Sequence, residues 1–364
     1  MRLLYFAPLS FGGLADYARD QAAALARRGI EVEVLCAPAF PKLPDGIRRN
    51  DSLDDPGNKA GGGRLARAGR FFKTMVGQHR QLARVISQSA HRHVLLGSYA
   101  EYFAPFWSPA LRRLAREGAV FGAVVHDPVR DAVLGPKQWH RRSVADGYSF
   151  LKYAFVHESV ALDTVRPMPG LEMLVIPHGP YHFETEMPER RVAREKLGLP
   201  ADAPVLLAFG HIRDNKNLDL VIRALAEAPE LRLLVAGHEL SSGQRPASAY
   251  RKLAQQLGVA NRCHWHVRFI PEKEIGCFFA AADFLALTYG AGFRSASGVL
   301  SVSSQFRKPC VASSGAGPLR TLVQKYQLGV WVAPDDAEAL AKGLRQLLAE
   351  GVHPRWDAFV RENS

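Results

Sequence analysis

The chain has 364 residues, 47% of them apolar and 23% charged, which is enough to bury a large core and, by length, to form two domains. Its 47 basic and 35 acidic residues leave a formal net charge of +12, a balance that favours anionic partners and says nothing about fold. Cys36, Cys263, Cys277 and Cys310 lack metal-ligand spacing, Met1–Pro8 is too short for a signal peptide, and no apolar run reaches the ~18 residues of a membrane span. The expectation is therefore a reduced, cytoplasmic protein, soluble or peripheral on the membrane's inner face.

Short apolar runs alternate with helical patterns nearly from end to end, the mark of a parallel sheet with crossover helices. Arg2–Ala7 reads as a strand, Leu14–Arg28 as a helix stopped by Gly29, and Glu31–Cys36 as the next strand. From Ala37 to Gly63 the pattern dissolves into Pro, Gly, Asp and Asn, which predicts a surface loop. Helical sequence resumes at Arg64, and His93–Leu96, Ala119–Val125, Ala154–His157 and Met173–Ile176 are further strands. A second series predicts strands at Val205–Phe209, Leu231–Ala236, Cys263–Phe269, Phe284–Leu287, Cys310–Ala312 and Val330–Val332, closing on a helix over Asp335–Ala349. The reading is an α/β chain of two doubly wound halves: a domain over 1–176, a linker over 177–200, a second domain over 201–350 and a tail over 351–364. Ligands of such sheets sit beyond the carboxyl ends of the strands, so the cleft between the halves is the expected site.

Several stretches stand at those strand ends. Gly12 and Gly13 open the first helix, where glycine admits a ligand to the backbone and the helix N-terminus favours negative charge, although a tight turn needs glycine too. No complete glycine-rich dinucleotide fingerprint occurs. His126 and Asp127 end the strand Ala119–Val125, where a histidine can bond a hydroxyl or handle a proton and an aspartate can equally cap a turn. Pro177-His178-Gly179 lies where the halves meet. The stretch Gly210-His211-Ile212-Arg213-Asp214-Asn215-Lys216-Asn217 comes after a strand and precedes a helix; Arg213 and Lys216, three residues apart, can face one anion as a guanidinium fork and a point charge. Their charges oppose the macrodipole, so capping is not their purpose. Arg294, Ser295, Ser297, Gly298 and Val299 open another helix, whose free N–H groups make a phosphate cradle or an ordinary N-cap. His264-Trp265-His266 reads as a strand face, with Cys263 and Trp265 on the other side, rather than as a metal pair, and Cys310 reads as core. Finally, no acid occurs between Pro56 and Ala100, where Lys59, Arg64, Arg67, Arg70, Lys73, Arg80, Arg84 and Arg92 interleave with Phe71, Phe72 and Met75. Such a helix lies on anionic lipid, or packs its apolar side on the sheet. It lacks a nucleic-acid motif.

The order of these motifs resembles the family-4-type retaining glycosyltransferases of the GT-B fold, over nearly the whole chain. The carrying segments are Phe11–Tyr17, Val125–Asp127, Ile176–Gly179, Phe209–Asn217 and Ser295–Ala312, the last most similar to a bacterial polysaccharide-type subgroup. The resemblance implies that the C-terminal half holds a nucleotide-sugar donor and the N-terminal half a saccharide, lipid-linked or other hydroxyl acceptor. It implies that Arg213 and Lys216 grip the diphosphate with help from the backbone of Gly298 and Val299. Gly12 and Gly13 would then face the phosphates and the transferred sugar, with His126 near a sugar hydroxyl. Neither metal nor cofactor is implied. The commoner family pattern has two glutamates eight residues apart; those places hold Arg294 and Val302 here, and His211 stands where many relatives have arginine. A sugar-nucleotide epimerase and a non-catalytic sugar-nucleotide-binding protein of the same fold are the rival readings.

Overall fold

The computed structural model describes residues 1–55, 63–128, 136–159, 164, 166–168, 170–239, 243–349 and 351–364; the side chains of Arg64, Leu65 and Arg67 also lie outside the description, as does Lys59. The chain divides into two units, Met1–Ile176 and Pro177–Ser364.

The first unit is a parallel sheet of β1 (Arg2–Ala7), β2 (Glu31–Cys36), β3 (Arg48–Asn50), β4 (His93–Leu96), β5 (Val120–Val125), β6 (Tyr153–Val156) and β7 (Glu172–Val175), in the order β3-β2-β1-β4-β5-β6-β7. Helices α1 (Gly13–Arg27), α2 (Arg64–Gln88), α3 (Ala104–Arg116) and α4 (Lys137–Tyr148) connect and cover it. The strand β3 falls inside the stretch read from sequence as a loop. It has no apolar alternation to betray it, and polar cross-strand pairs accompany its pairing with β2: Arg48 to Glu31 at 2.8 Å and Asn50 to Glu33 at 3.1 Å. On α2, Val76, Leu82 and Ile86 are buried in the core together with Trp107 and Leu111 of α3. The Trp107 indole donates to the Ala100 carbonyl and stacks on His79 at 4.0 Å, so a histidine is carried into the interior; burial holds its pKa down near 4.

The second unit repeats the plan with β8 (Val205–Phe209), β9 (Arg232–Gly237), β10 (Cys263–Val267), β11 (Phe284–Thr288), β12 (Cys310–Ser313) and β13 (Gly329–Trp331), all parallel, in the order β10-β9-β8-β11-β12-β13. Its helices are α5 (Arg190–Lys196), α6 (Leu218–Ala224), α7 (Ala247–Gln256), α8 (Glu272–Ala281), α9 (Gly298–Phe306), α10 (Pro318–Lys325), α11 (Ala337–Ala349) and α12 (Trp356–Asn363). Residues 177–200 and 351–364, set apart in the sequence as linker and tail, are part of this unit. The reason for the first is visible at Arg194, 1% exposed, which donates to the carbonyls of Ala281, Pro200 and Ala201 and to the Asp283 carboxylate at 2.6 Å. Asp283 also accepts from the Val205 N–H at 2.8 Å, tying α5 to the start of β8. All four cysteines are free and buried, and burial pushes the Cys310 thiol up to about 12, as suits a core residue. On β10, Cys263, Trp265 and Val267 face the core, while His264 and His266 lie half-buried on the other side.

In each sheet the chain winds outward both ways from a first strand, β1 or β8. The neighbouring strand ends, β1/β4 and β8/β11, are the topological switch points where such sheets receive ligands.

Candidate functional site

At the switch point of the second unit, β8 runs into Gly210, whose φ of +88° suits glycine. The chain must pass close to β9 here: a Cβ on Gly237 would come within 1.8 Å of the Gly210 carbonyl oxygen. Ile212 then bridges to Glu239, a short 3-10 turn spans Asp214–Lys216, and Asn217 takes the left-handed conformation (φ 49°) before α6 begins. That strained residue is clamped, since its side-chain amide donates to Asp335 at 2.8 Å, and the same carboxylate accepts from the Ala291 N–H. The turn is braced from outside by Arg245, which bonds Asp214 and Asp219, and by the Tyr250 hydroxyl, which donates to Asp214.

This frame brings cations together. The half-buried Lys216 ammonium donates to the Phe209 carbonyl at 2.7 Å, and Thr288 at the end of β11 donates to the Lys216 carbonyl at 2.8 Å. Burial, then the Arg213 charge, lowers the Lys216 pKa to about 7. Arg213 is exposed and has no side-chain partner among the described residues. His211 packs edge-to-face on His238 at 4.3 Å; burial first, then the charges of Arg213, His238 and Lys216, holds its pKa near 4. Both shifts have the same cause and the same remedy, because an anion seated among these groups would favour every protonated form.

The N-terminus of α9 belongs to the same place. A Cβ on Gly210 would lie 3.2 Å from Lys216 Nζ and 3.6 Å from a methyl of Val299 in the first turn of α9. Ser297 is the N-cap, its hydroxyl accepting from the Leu300 N–H and bonding the buried Tyr289 hydroxyl at 2.9 Å. The N–H groups of Gly298 and Val299 have no acceptor among the described residues, as expected of a helix's first turn. Of the sequence-derived candidates, Gly210, His211, Arg213, Lys216, Ser297, Gly298 and Val299 are therefore assembled. Ser295 is buried, Arg294 is exposed, and the backbone of Arg294 rests on Gly317. His178 lies on the second turn of α9, its Nδ1 2.8 Å from the Ser301 hydroxyl. Val302 is a buried residue of that helix. Sequence reasoning missed His238, Thr288, Tyr289 and Asp335; the first three stand at or just past strand ends, a positional signal that could have found them.

At the switch point of the first unit, Gly12 takes φ +81° as the N-cap of α1, with nothing within 4 Å of where a Cβ would stand, and Gly13 begins the helix. Behind them Tyr17 packs edge-to-face on His126 at 4.6 Å. His126 Nε2 donates to the Gly97 carbonyl at 3.1 Å, while its Nδ1 meets His157 Nε2 at 3.3 Å; His157 Nδ1 in turn meets the Ile176 carbonyl at 3.2 Å. Burial, then the His157 charge, lowers the His126 pKa to about 3, so the ring is neutral at physiological pH. With both carbonyl bonds made by neutral rings, the two facing nitrogens each present a lone pair. Their contact becomes an N–H···N bond only when one ring takes a second proton. Beside His126 opens a cavity of about 690 Å³ lined by Leu14, Phe72, Met75, Phe103, Phe106 and Trp139 among others, which no motif in the sequence announced.

The two parallel α/β sheets with these windings define a GT-B fold. In agreement, solved structures superpose along essentially the whole chain: the Anabaena protein HepE in complex with UDP-glucose (TM-score 0.69, 16% identity, 100% of this chain and 93% of that one) and the catalytic domain of Arabidopsis thaliana starch synthase IV bound to ADP and acarbose (TM-score 0.69, 12% identity, 99% and 94%). At these identities they speak for the fold alone. Residues 189–359, within the second unit, match the family described as Glycosyl transferases group 1. The D-inositol 3-phosphate glycosyltransferase of Mycobacterium leprae is 32% identical over 177 residues, 48% of this chain and 40% of that protein. The chain thus spans well under half the length of the curated relatives it matches.

Proposed function

We propose that this protein transfers a sugar from a nucleotide-sugar donor to a hydroxyl acceptor with retention of configuration, in polysaccharide or glycolipid assembly at the cytoplasmic face. The observation that carries the reading is the pairing of Arg213 and Lys216 at the end of β8 with the unsatisfied N–H groups that open α9. A guanidinium, an ammonium and a helix N-terminus together suit a diphosphate and hold it without metal. The family match over residues 189–359 and the likeness to a curated glycosyltransferase support the same assignment.

The chemistry asked of the protein is modest. The acceptor hydroxyl attacks the anomeric carbon on the face from which the diphosphate departs, the bond to the diphosphate oxygen breaks, and that departing oxygen takes the hydroxyl's proton. Catalysis then consists of orientation and of stabilising charge on the leaving group, which Arg213, Lys216 and the α9 N–H groups supply from preorganised positions. His126, with Gly12 and Gly13 nearby in the same unit, serves the sugar. The basic stretch 59–92 brings the enzyme to an anionic membrane surface; its exposed Lys73 and Arg80 lie on α2.

A thermal-shift screen against UDP-, GDP-, dTDP- and ADP-sugars, followed by product analysis with an acceptor panel, tests the assignment, since a ligand that binds the native state raises its stability. Nucleotide released only when acceptor is present supports transfer, and release without acceptor indicates epimerase-type or hydrolytic chemistry. One observation favours a second reading, that of a donor-binding protein without turnover: Val302, at one of the two glutamate positions, is 6% exposed and offers no polar group. Tight donor binding with no transfer to any acceptor would establish it.

A further inference from the structure

The cavity of the first unit lies at the β1/β4 switch point, and one side of it is largely apolar. Its wall is a connected set of rings. Phe72 packs edge-to-face on Phe103 at 5.1 Å and on Phe106 at 5.2 Å, Phe71 on Phe103 at 6.1 Å, and Phe106 is tilted on Trp139 at 6.1 Å. Leu14, Met75, Val124 and Val125 add aliphatic surface. Polar lining comes chiefly from the loops after the strands, including Ser98, His126 and Asp127. Tyr99, Glu101 and Tyr102 extend that polar edge, whereas the ring and aliphatic part of the wall offers a sugar's hydroxyls no partner.

Phe71 and Phe106 are about half exposed, at 53% and 49%, and Phe72 is 37% exposed, so the aromatic wall reaches the surface. A connected, solvent-facing aromatic patch on a folded domain marks a binding surface. The flanking charge narrows the choice of occupant. The helix that supplies Phe71, Phe72 and Met75 contains six basic residues and no acid, and its Lys73 and Arg80 side chains are exposed and unpaired among the described residues. Aromatic rings beside ammonium and guanidinium groups suit the interface of an anionic bilayer.

We propose that this cavity receives the hydrocarbon chain of a membrane-lipid acceptor, leaving the lipid's polar head among the groups just past β4 and β5. The proposal rests on the glycosyl-transfer reading for the word acceptor, but the binding of a chain does not. A volume of about 690 Å³ is in the range of pockets that enclose most of a drug-sized ligand, enough for a good part of one chain.

The test is calorimetric titration of the whole protein with methyl, hexyl, octyl and decyl β-D-glucosides below their micellar concentrations. The head is constant and uncharged, so only the chain varies. Methyl glucoside should show no measurable binding, and from hexyl upward each methylene should tighten Kd about fourfold, the factor for ~0.8 kcal/mol per buried CH₂. The F72S/F106S variant should weaken decyl glucoside at least tenfold. L14W, which adds volume at the cavity wall without removing a core side chain, should penalise decyl more than hexyl glucoside. Affinities independent of chain length, or length dependence that survives in both variants, would overturn the proposal; self-association through the aromatic face, seen as a concentration-dependent mass that F72S/F106S abolishes in the absence of ligand, would also overturn it. Nucleoside-diphosphate binding is measured alongside. Its absence from the wild-type protein while chain binding persists refutes the donor reading and leaves the cavity assignment standing. Its retention in the variants shows that they are folded.

Discussion

Lys216 offers a direct test of the proposed anion site. Its ammonium is pushed to about 7 by burial and by Arg213, so near neutral pH about half of the free protein carries the lysine uncharged. A diphosphate beside it removes the reason for the shift and returns the pKa toward the ordinary ~10.4 of lysine. Binding therefore takes up a proton, and affinity is highest at or below pH 7 and falls as pH rises. The limiting slope is tenfold per pH unit, and with the half-titrated start the loss of UDP, GDP or ADP affinity from pH 7 to pH 9 should be about 50-fold. Calorimetry in buffers of different ionisation enthalpy should report an uptake of about half a proton near pH 7 and close to one near pH 8.5. Lys216→Met removes the titrating group and should flatten the profile while weakening binding at pH 7. Heats independent of buffer, or a Kd constant across this interval, would refute the placement of the diphosphate at Lys216.

Arg213→Ala and Lys216→Ala should each lower turnover by roughly 10²–10³, the scale for losing one preorganised charge-stabilising donor, as read in single-turnover assays; near-native turnover and donor affinity in both would remove the grip. His126→Ala should impair sugar transfer more than it weakens binding of the bare nucleoside diphosphate, and equal losses without unfolding would cancel its assignment to the sugar. Arg194→Ala leaves three carbonyls without their donor and Asp283 with Arg190 as its remaining cation, and should cost ~1–3 kcal/mol in urea unfolding, the penalty for buried acceptors left unsatisfied. A loss below ~1 kcal/mol would mean that water takes the vacated place.

The inner strands were legible because β1, β5, β9 and β12 are apolar runs buried along nearly their whole length, the pattern a parallel sheet imposes. Glu31–Cys36, His93–Leu96 and Val205–Phe209 are read from sequence with the bounds the structure gives them. The strand over Arg48–Asn50 was not legible, since its cross-strand partners are charges and amides that look the same in a loop. At the proposed anion site, Arg213 and Lys216 stood out in the sequence through their spacing after a strand. The sequence could not expose Asp335, which reaches the site's rim from a loop 118 residues beyond Asn217 and holds that residue in its left-handed turn. The cavity was hidden for another reason. Phe71, Phe72 and Met75 sit at helical spacing, which core packing requires just as often, and only the placement of α3 and α4 decides that part of this stripe lines a void rather than the sheet.

The two switch points share one strand order but are lined differently, and the difference lies in the connections that leave the strands. After β8 the chain folds straight back in a short turn whose backbone and cations converge on the N-terminus of α9, so the space is small and positively charged. After β4 the chain passes through a loop into a short 3-10 turn at Glu101–Phe103 and then α3, while the 25-residue α2 lies alongside, so helices wall the space together with the loops after β1, β4 and β5. Helix interiors spend their N–H groups on their own carbonyls and present only side chains, here phenyl rings, to whatever enters. An anion can be held only where backbone donors and cations are unspent, as at Gly298, Val299 and Arg213. A hydrocarbon chain needs a stretch of wall made of apolar side chains, as at Phe72, Phe103 and Phe106. The sheet positions both sites, and the connections decide which ligand each can take.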